Sequence, residues 1–597
     1  MKGGMRGSGT AQVCPHGLDW RTQTRRVLSM GNLSTRRTWK SVALIVFITT
    51  FVVGCTSGSD DPNGSASPKG GGSADGGSNV NATGFPIAKN KITMSAFAPQ
   101  SANIADLNTN WFTKYLEEKT NVHLNWQLVP GETAALKEKK QLLLASGDYP
   151  DIFMSGDLTK EEQLLYGQQG VLLPLNKLID QYAPNIKKAF KDISYLEKAI
   201  TAPDGNIYAI PSVNECYHCQ FSAKMWVNTK WLQKLGLSAP KTTDDFYNML
   251  KAFKEKDPNG NGKADEIAFT GSPTGWHTDI ETFVMNAFVY FNADNNYFVL
   301  NGGKLGTAVD QPGFKKGLQY LNKLYSEGLI DKEAFTQKSD ALSQKGNSPD
   351  TAIAGAIPAG WFGEFTDASP TATRHKDYDP IAPLTGPDGV SYTAHYIGIG
   401  NSVFAITNKN KNPEAAIRLA DYLYSDEGTT LSNFGEEGRN WVKADANDKN
   451  TRGTAAKFKV KETSYGVGQV QNDHWNQMGP NLRSSEYRET AYAASQDIYT
   501  MDGLETRLYK ATKELYEGHQ PKEEFPTDIF LTNEQANQVK QLKPIITDYV
   551  KQSMLQFIMG AKSIDKDWDA YLKGLKDSGM DQFIKIYQDA YDKGYKK

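Results

Sequence analysis

Lys91-Ile92-Thr93-Met94-Ser95-Ala96-Phe97 and, further on, Pro150-Asp151-Ile152-Phe153-Met154 bracket the stretch that decides the fold. Apolar residues recur with strand spacing over 91–97, helix spacing over 110–120, strand spacing over 122–128, helix spacing over 133–146, and strand spacing again over 150–154. Strand and helix in alternation predict a parallel sheet covered by helices. The same pattern continues: strand 225–228, helices 246–256 and 312–327, strand 402–407, a helix over 413–425 opened by Pro413, and a helix-rich tail over 535–595. Two α/β lobes, with the chain passing between them more than once, follow.

Upstream, Arg36, Arg37 and Lys40 precede an uncharged, mostly apolar run over 42–53, then Gly54 and Cys55. This is the pattern of a lipoprotein signal peptide, with Cys55 as the lipidated residue of the mature chain. The run is too short to span a bilayer, which takes about 20 residues. Residues 1–29 carry no apolar run, so Met30 is the better start. From 56 to 83 there is no aromatic residue, and Gly, Ser, Asp and Asn dominate, the composition of a flexible tether. The expected domains are a leader over 1–54, a lipidated linker over 55–88, a first lobe from 89–212 plus about 392–440, and a second from about 213–391 plus 441–597.

That body, about 510 residues, is too long for one core. The formal net charge of -2, with both signs interspersed, argues against a nucleic-acid partner. Aromatic content of 11% fits a site that stacks flat apolar faces.

Three motifs in order, Leu144-Ala145-Ser146-Gly147-Asp148-Tyr149-Pro150-Asp151-Ile152, Gly170-Val171-Leu172-Leu173-Pro174-Leu175 and Pro203-Asp204-Gly205-Asn206-Ile207-Tyr208-Ala209-Ile210-Pro211, resemble the family 1 extracellular solute-binding proteins, the sugar-binding lipoproteins of ATP-binding-cassette (ABC) importers. Trp231 to Leu237, Lys411-Asn412-Pro413-Glu414-Ala415-Ala416 and Gly435-Glu436-Glu437-Gly438 add to the resemblance. It implies a type II periplasmic-binding-protein clamshell, each lobe a sheet flanked by helices, that closes on an oligosaccharide and delivers it to a permease at the outer face of the membrane, as a monomer and without catalysis.

The sharpest chemical motif is Asp257-Pro258-Asn259-Gly260-Asn261-Gly262-Lys263-Ala264-Asp265-Glu266. Oxygen ligands at positions one, three, five and nine with glycine at six suit a structural calcium ion. Position twelve is Ala268, so the pattern departs from an EF-hand and Glu266 must supply the last carboxylate. Asp257, Asn259, Asn261, Asp265 and Glu266 by side chain, and Lys263 by its carbonyl, are the candidate ligands; similarity to alginate-binding members of the family implies the same. An Asx-rich turn without metal is the alternative.

Cys216-Tyr217-His218-Cys219 reads as a disulfide in a secreted chain, with a thiol oxidoreductase motif or half a zinc site as alternatives. For sugar stacking, Trp276, Trp361, Trp441 and Trp475 each sit in or beside loops, and each has a core role as the competing reading. Asp157, directly after a buried strand, is a candidate acceptor for sugar hydroxyls or a helix N-cap. The rival functions are a secreted polysaccharide-degrading enzyme, which needs a carboxylate pair across a cleft, and a sensor subunit that binds the same ligand.

Overall fold

The computed structural model describes residues 79–595 apart from 132, 370, 397–398, 462–469 and 527–528. Met30, Cys55 and most of the Gly/Ser tract lie outside the described residues. The linker expected to run to residue 88 ends earlier: Val80 bridges Ala88, and Ile87 and Ala88 are fully buried.

Two sheets organise the fold. The larger has six strands in the order Leu482–Arg483, Ile210–Asn214, Ile399–Ile406, Ile152–Met154, Ile92–Gln100, Val122–Pro130. All are parallel except Ile399–Ile406, which runs antiparallel to both of its neighbours. The smaller has four, in the order Tyr378–Ile381, Lys224–Asn228, Ala354–Ala359, Ile267–Phe269, with Lys224–Asn228 antiparallel to both of its neighbours.

The alternation read from 91–154 is present element by element. Helix Trp111–Thr120 begins where the Asn110 carboxamide accepts from the Phe112 and Thr113 amides, and helix Thr133–Ser146 leads to the short strand before Asp157. Phe112, Leu116, Ile152 and Met154 pack with Phe404 and Ile406 in the first core. Phe246, Phe253, Phe269 and Phe314 anchor the second, which the terminal helices Asn533–Ile558, Ile564–Asp577 and Met580–Tyr595 join through Val550, Phe557 and Phe583.

The chain crosses between sheets three times. It leaves the first after Asn214, returns to it at Ile399, and leaves again after Arg483 for helix Leu504–Ala511, whose Leu508 packs with Trp226 and Ile357 of the second. Leu482 and Arg483 pair with Val213 and Asn214, so the last departure falls well after the expected boundary at 441. A two-residue strand has no readable period, and its pairing comes from the fold.

Candidate functional site

Strand directions put all three crossings on one side. Asn214 and Arg483 end strands parallel to Ile92–Gln100 and Ile152–Met154, and antiparallel Ile399 starts opposite Val213. On the second sheet, Lys224 starts opposite Ala359, where the parallel strands end. The crossings therefore join the carboxyl edges of both sheets, where ligands bind in open α/β folds, and the loops after Met154, Phe269 and Ala359 border the same cleft.

On the second sheet's wall, two loops from neighbouring parallel strands meet at Glu364. Its carboxylate accepts from the Trp276 amide at 3.1 Å and the Trp361 indole Nε1 at 3.2 Å. Gly360 donates its amide to the Trp276 carbonyl at 2.9 Å, and a Cβ on Gly360 would sit 2.3 Å from the Trp276 ring. The indole thus lies against bare backbone, and with 37% of its surface exposed it is a fixed apolar platform. Beside it, His277 meets Tyr396, with ring centroids 4.6 Å apart and the phenol oxygen 3.2 Å from Nδ1. Burial holds the His277 pKa below its ordinary value, against the opposing pull of Asp294 and Asp279.

The floor is the crossing itself. Cys216 and Cys219 are joined in a disulfide around the short helix Tyr217–Gln220. The CxxC motif follows a strand and opens a helical turn, strand Ile210–Asn214 ending two residues before Cys216. Buried His218 lies 3.2 Å from Glu505, which also pairs with Arg488 at 3.0 Å. Burial pushes Glu505 up, but Arg488 and His218 outweigh it and hold the carboxyl well below the usual range. Lys224, fully buried and donating to the His218 and Phe221 carbonyls, is brought down to about 7 by desolvation.

On the first sheet's wall, Ser155 and Asp157 have positive φ of 56° and 50°. Such conformations cost non-glycine residues of the order of 1–3 kcal/mol and cluster at functional sites. The N-cap of helix Lys160–Gln168 is Thr159, in a capping box with Glu162, so Asp157 does not cap that helix. Ser155 Oγ accepts from the Gly479 amide, and Gln477, two residues earlier in that loop, accepts from Arg483 Nη2 at 2.6 Å. Arg483 keeps 9% of its surface, and its Nε is buried with no partner among the described residues.

The four tryptophans separate. Trp276 and Trp361 share a wall. Trp475 is fully buried, donating to Thr113 Oγ1 at 2.8 Å and packed edge-on to Phe112 and Trp126, so it is core and not a ligand contact. Trp441 lies on the first lobe with its Nε1 donating to the Gly435 carbonyl, away from Trp276. Glu364, His277, Tyr396 and Arg483 escaped the sequence reading because nothing in their spacing marks them; the pairing of parallel strands brings them in.

The 257–266 loop forms a closed polar knot. Asp257 accepts from the Gly260, Asn261 and Gly262 amides, and Asp265 from the Asn259 and Asn261 carboxamides at 2.8–3.1 Å. Those bonds keep the Asp265 pKa low, while burial, with Asp257 and Asp265 adding to it, pushes Glu266 up. Glu266 Oε1 is buried and lacks a hydrogen-bond partner among the described residues. An orphaned carboxylate oxygen beside two more carboxylates and two carboxamides is a donor set that fits a hard cation.

The model of a family described as bacterial extracellular solute-binding protein matches residues 101–430. The chain is 29% identical to the fructooligosaccharide ABC transporter substrate-binding protein FusA of Streptococcus pneumoniae serotype 4, over 85% of this chain and 91% of that one. FusA in complex with kestose superimposes with a TM-score of 0.67 at 27% identity, covering 84% and 99% of the two chains, as does a FusA EF-hand mutant in complex with fructo-nystose. The alginate-binding protein AlgQ2, in a structure without calcium ion, gives 0.58 at 28%, covering 85% and 100%.

Proposed function

The chain belongs to the bacterial extracellular solute-binding proteins, and from that premise we propose that it captures an oligosaccharide between its two lobes and hands it to the membrane subunits of an ABC importer. The observation that carries this reading is the Trp276 platform, laid on Gly360 and fixed by Glu364 at the cleft edge. A pyranose or furanose C–H face covers an indole, the Glu364 carboxylate beside it accepts from hydroxyls, and Arg483 on the first sheet's wall donates to them. The likeness to FusA points the same way. The lobes close by bending at the three crossings, and no residue performs chemistry. Lipidation at Cys55, with the chain held at the outer membrane face, completes the proposal.

The test is calorimetric titration with kestose, nystose and a galacturonate trimer. One of them binds the intact protein uncleaved, and Trp276→Ala weakens that binding roughly 30-fold, the effect of an interface hot spot of about 2 kcal/mol. Gly360→Ala, which drives the indole off its seat, weakens it in the same direction. Cleavage of a sugar, or a Trp276→Ala variant that binds like the parent, refutes the reading.

Calcium is proposed for the 257–266 loop, with Asp257, Asn259, Asn261, Asp265 and Glu266 as side-chain ligands and the Lys263 carbonyl beside them. An ion there fixes the loop and takes no part in ligand chemistry. Added calcium at 100 times its dissociation constant stabilises the protein by about 2.7 kcal/mol in thermal unfolding, and Asp265→Asn removes the effect. An unfolding curve indifferent to calcium and to chelator leaves the loop an Asx turn.

A further inference from the structure

The first lobe carries a pocket that the cleft does not use. About 570 Å³ in volume, it is lined by the ring pairs Trp111–Tyr115 and Trp441–Phe458 together with Thr430 and Leu431. No residue of the second sheet and none of the carboxyl-edge loops at Asp157, Gln477 or Arg483 takes part. The size falls within the about 300–1,000 Å³ of small-molecule sites.

Its aromatic walls are held in place. The Trp111 and Tyr115 rings stack 5.3 Å apart at 17°. The Tyr115 hydroxyl donates to Glu427 Oε1 at 2.8 Å, and Lys119 braces the same oxygen at 2.9 Å. Trp441 is pinned by its bond to the Gly435 carbonyl at 2.8 Å and leans on Phe458, with centroids 5.3 Å apart. Three half-buried rings around an open volume, two fixed by hydrogen bonds and Trp111 by stacking on Tyr115, are costly to keep if nothing fills it, because each leaves apolar surface in water.

The rim decides the chemistry. Asp426, Glu427, Glu436 and Glu437 supply acceptors, and Lys443 and Lys457 supply donors. A cationic ligand meets two ammonium groups and an anionic one meets four carboxylates. A neutral polyhydroxylated ring uses both signs while its C–H faces cover the indoles. We propose that this pocket is a second glycan-binding site on the first lobe, which holds a sugar unit outside the cleft without requiring the lobes to close. The inference rests on the oligosaccharide reading above and adds a place to it.

Saturation-transfer NMR tests it with kestose, nystose and a galacturonate trimer, each against Trp276→Ala, in which the cleft platform is gone. Transfer to kestose or nystose, the neutral sugars, persists in Trp276→Ala, with millimolar affinity, and falls at least fivefold when Trp111→Ala is added. Glu436→Gln with Glu437→Gln, both on the rim, lowers it in the same direction and guards against a Trp111→Ala variant that fails to fold. Residual binding that survives both sets of changes, or no residual binding in Trp276→Ala, overturns the second site. Failure of the intact protein to bind any of the three overturns the oligosaccharide reading itself, a different result.

Discussion

Trp475→Ala destabilises the protein by about 3–5 kcal/mol, the range for truncating a buried tryptophan. The side chain keeps none of its surface, fills the space between Phe112 and Trp126, and leaves Thr113 Oγ1 without its donor when removed. Its neighbours sit on helix Trp111–Thr120 and strand Val122–Pro130, packed elements that cannot collapse into the void. The urea midpoint of unfolding measures the loss. Trp475 also anchors the loop that presents Gln477 and Gly479 to the cleft, so glycan affinity falls as well, but by less than for Trp276→Ala. An unchanged midpoint with abolished binding returns Trp475 to the ligand site.

Glu505→Ala costs about 3 kcal/mol, the lower end of what removing one partner of a buried ion pair costs, because the carboxylate keeps 30% of its surface. The change leaves Arg488, at 11% exposure, with the Asn214 carboxamide Oδ1 as its one side-chain acceptor among the described residues, and strips His218 of its carboxylate. The pH dependence follows from the direction of the shift. A carboxyl held below its ordinary value in the folded state contributes stability that is fully present above the unfolded value, about 4.3, and is lost as pH falls below it. Between pH 7 and pH 3 the parent therefore loses stability that Glu505→Gln does not have to lose. Unfolding free energies at the two pH values for both proteins decide it, and parallel acid limbs count against the pair.

Much of the architecture is legible in the chain because it is written in local periods. Helix Thr133–Ser146 coincides with its sequence reading, and the Pro413 and Asn110 signals mark helix starts. The turn over 257–266 is legible for the same reason: its oxygen-bearing side chains and glycines are consecutive. The cleft is only half legible. Trp276 and Trp361 advertise themselves by glycine neighbours, but so does Trp441, which lines a different pocket, and Trp475 in its polar loop turns inward to a core no local pattern announces. Glu364 becomes meaningful only when strands Ile267–Phe269 and Ala354–Ala359 pair in parallel and bring their loops together. Arg483 is brought in by a two-residue strand. Residues fixed by long-range pairing leave no trace in spacing.

The way the chain enters the body has a mechanical outcome. Residues 79–88 are bound to the first lobe: Arg418 donates to the carbonyls of Asn81 and Gly84, and Ala88 donates to the Thr120 carbonyl. Any load on the polypeptide ahead of residue 79 is therefore borne by the lobe that carries Asp157 and Arg483, not by the one that carries the Trp276 platform. A pull on that end of the chain therefore enters at one half of the body, and the three crossings to the other half lie outside its path.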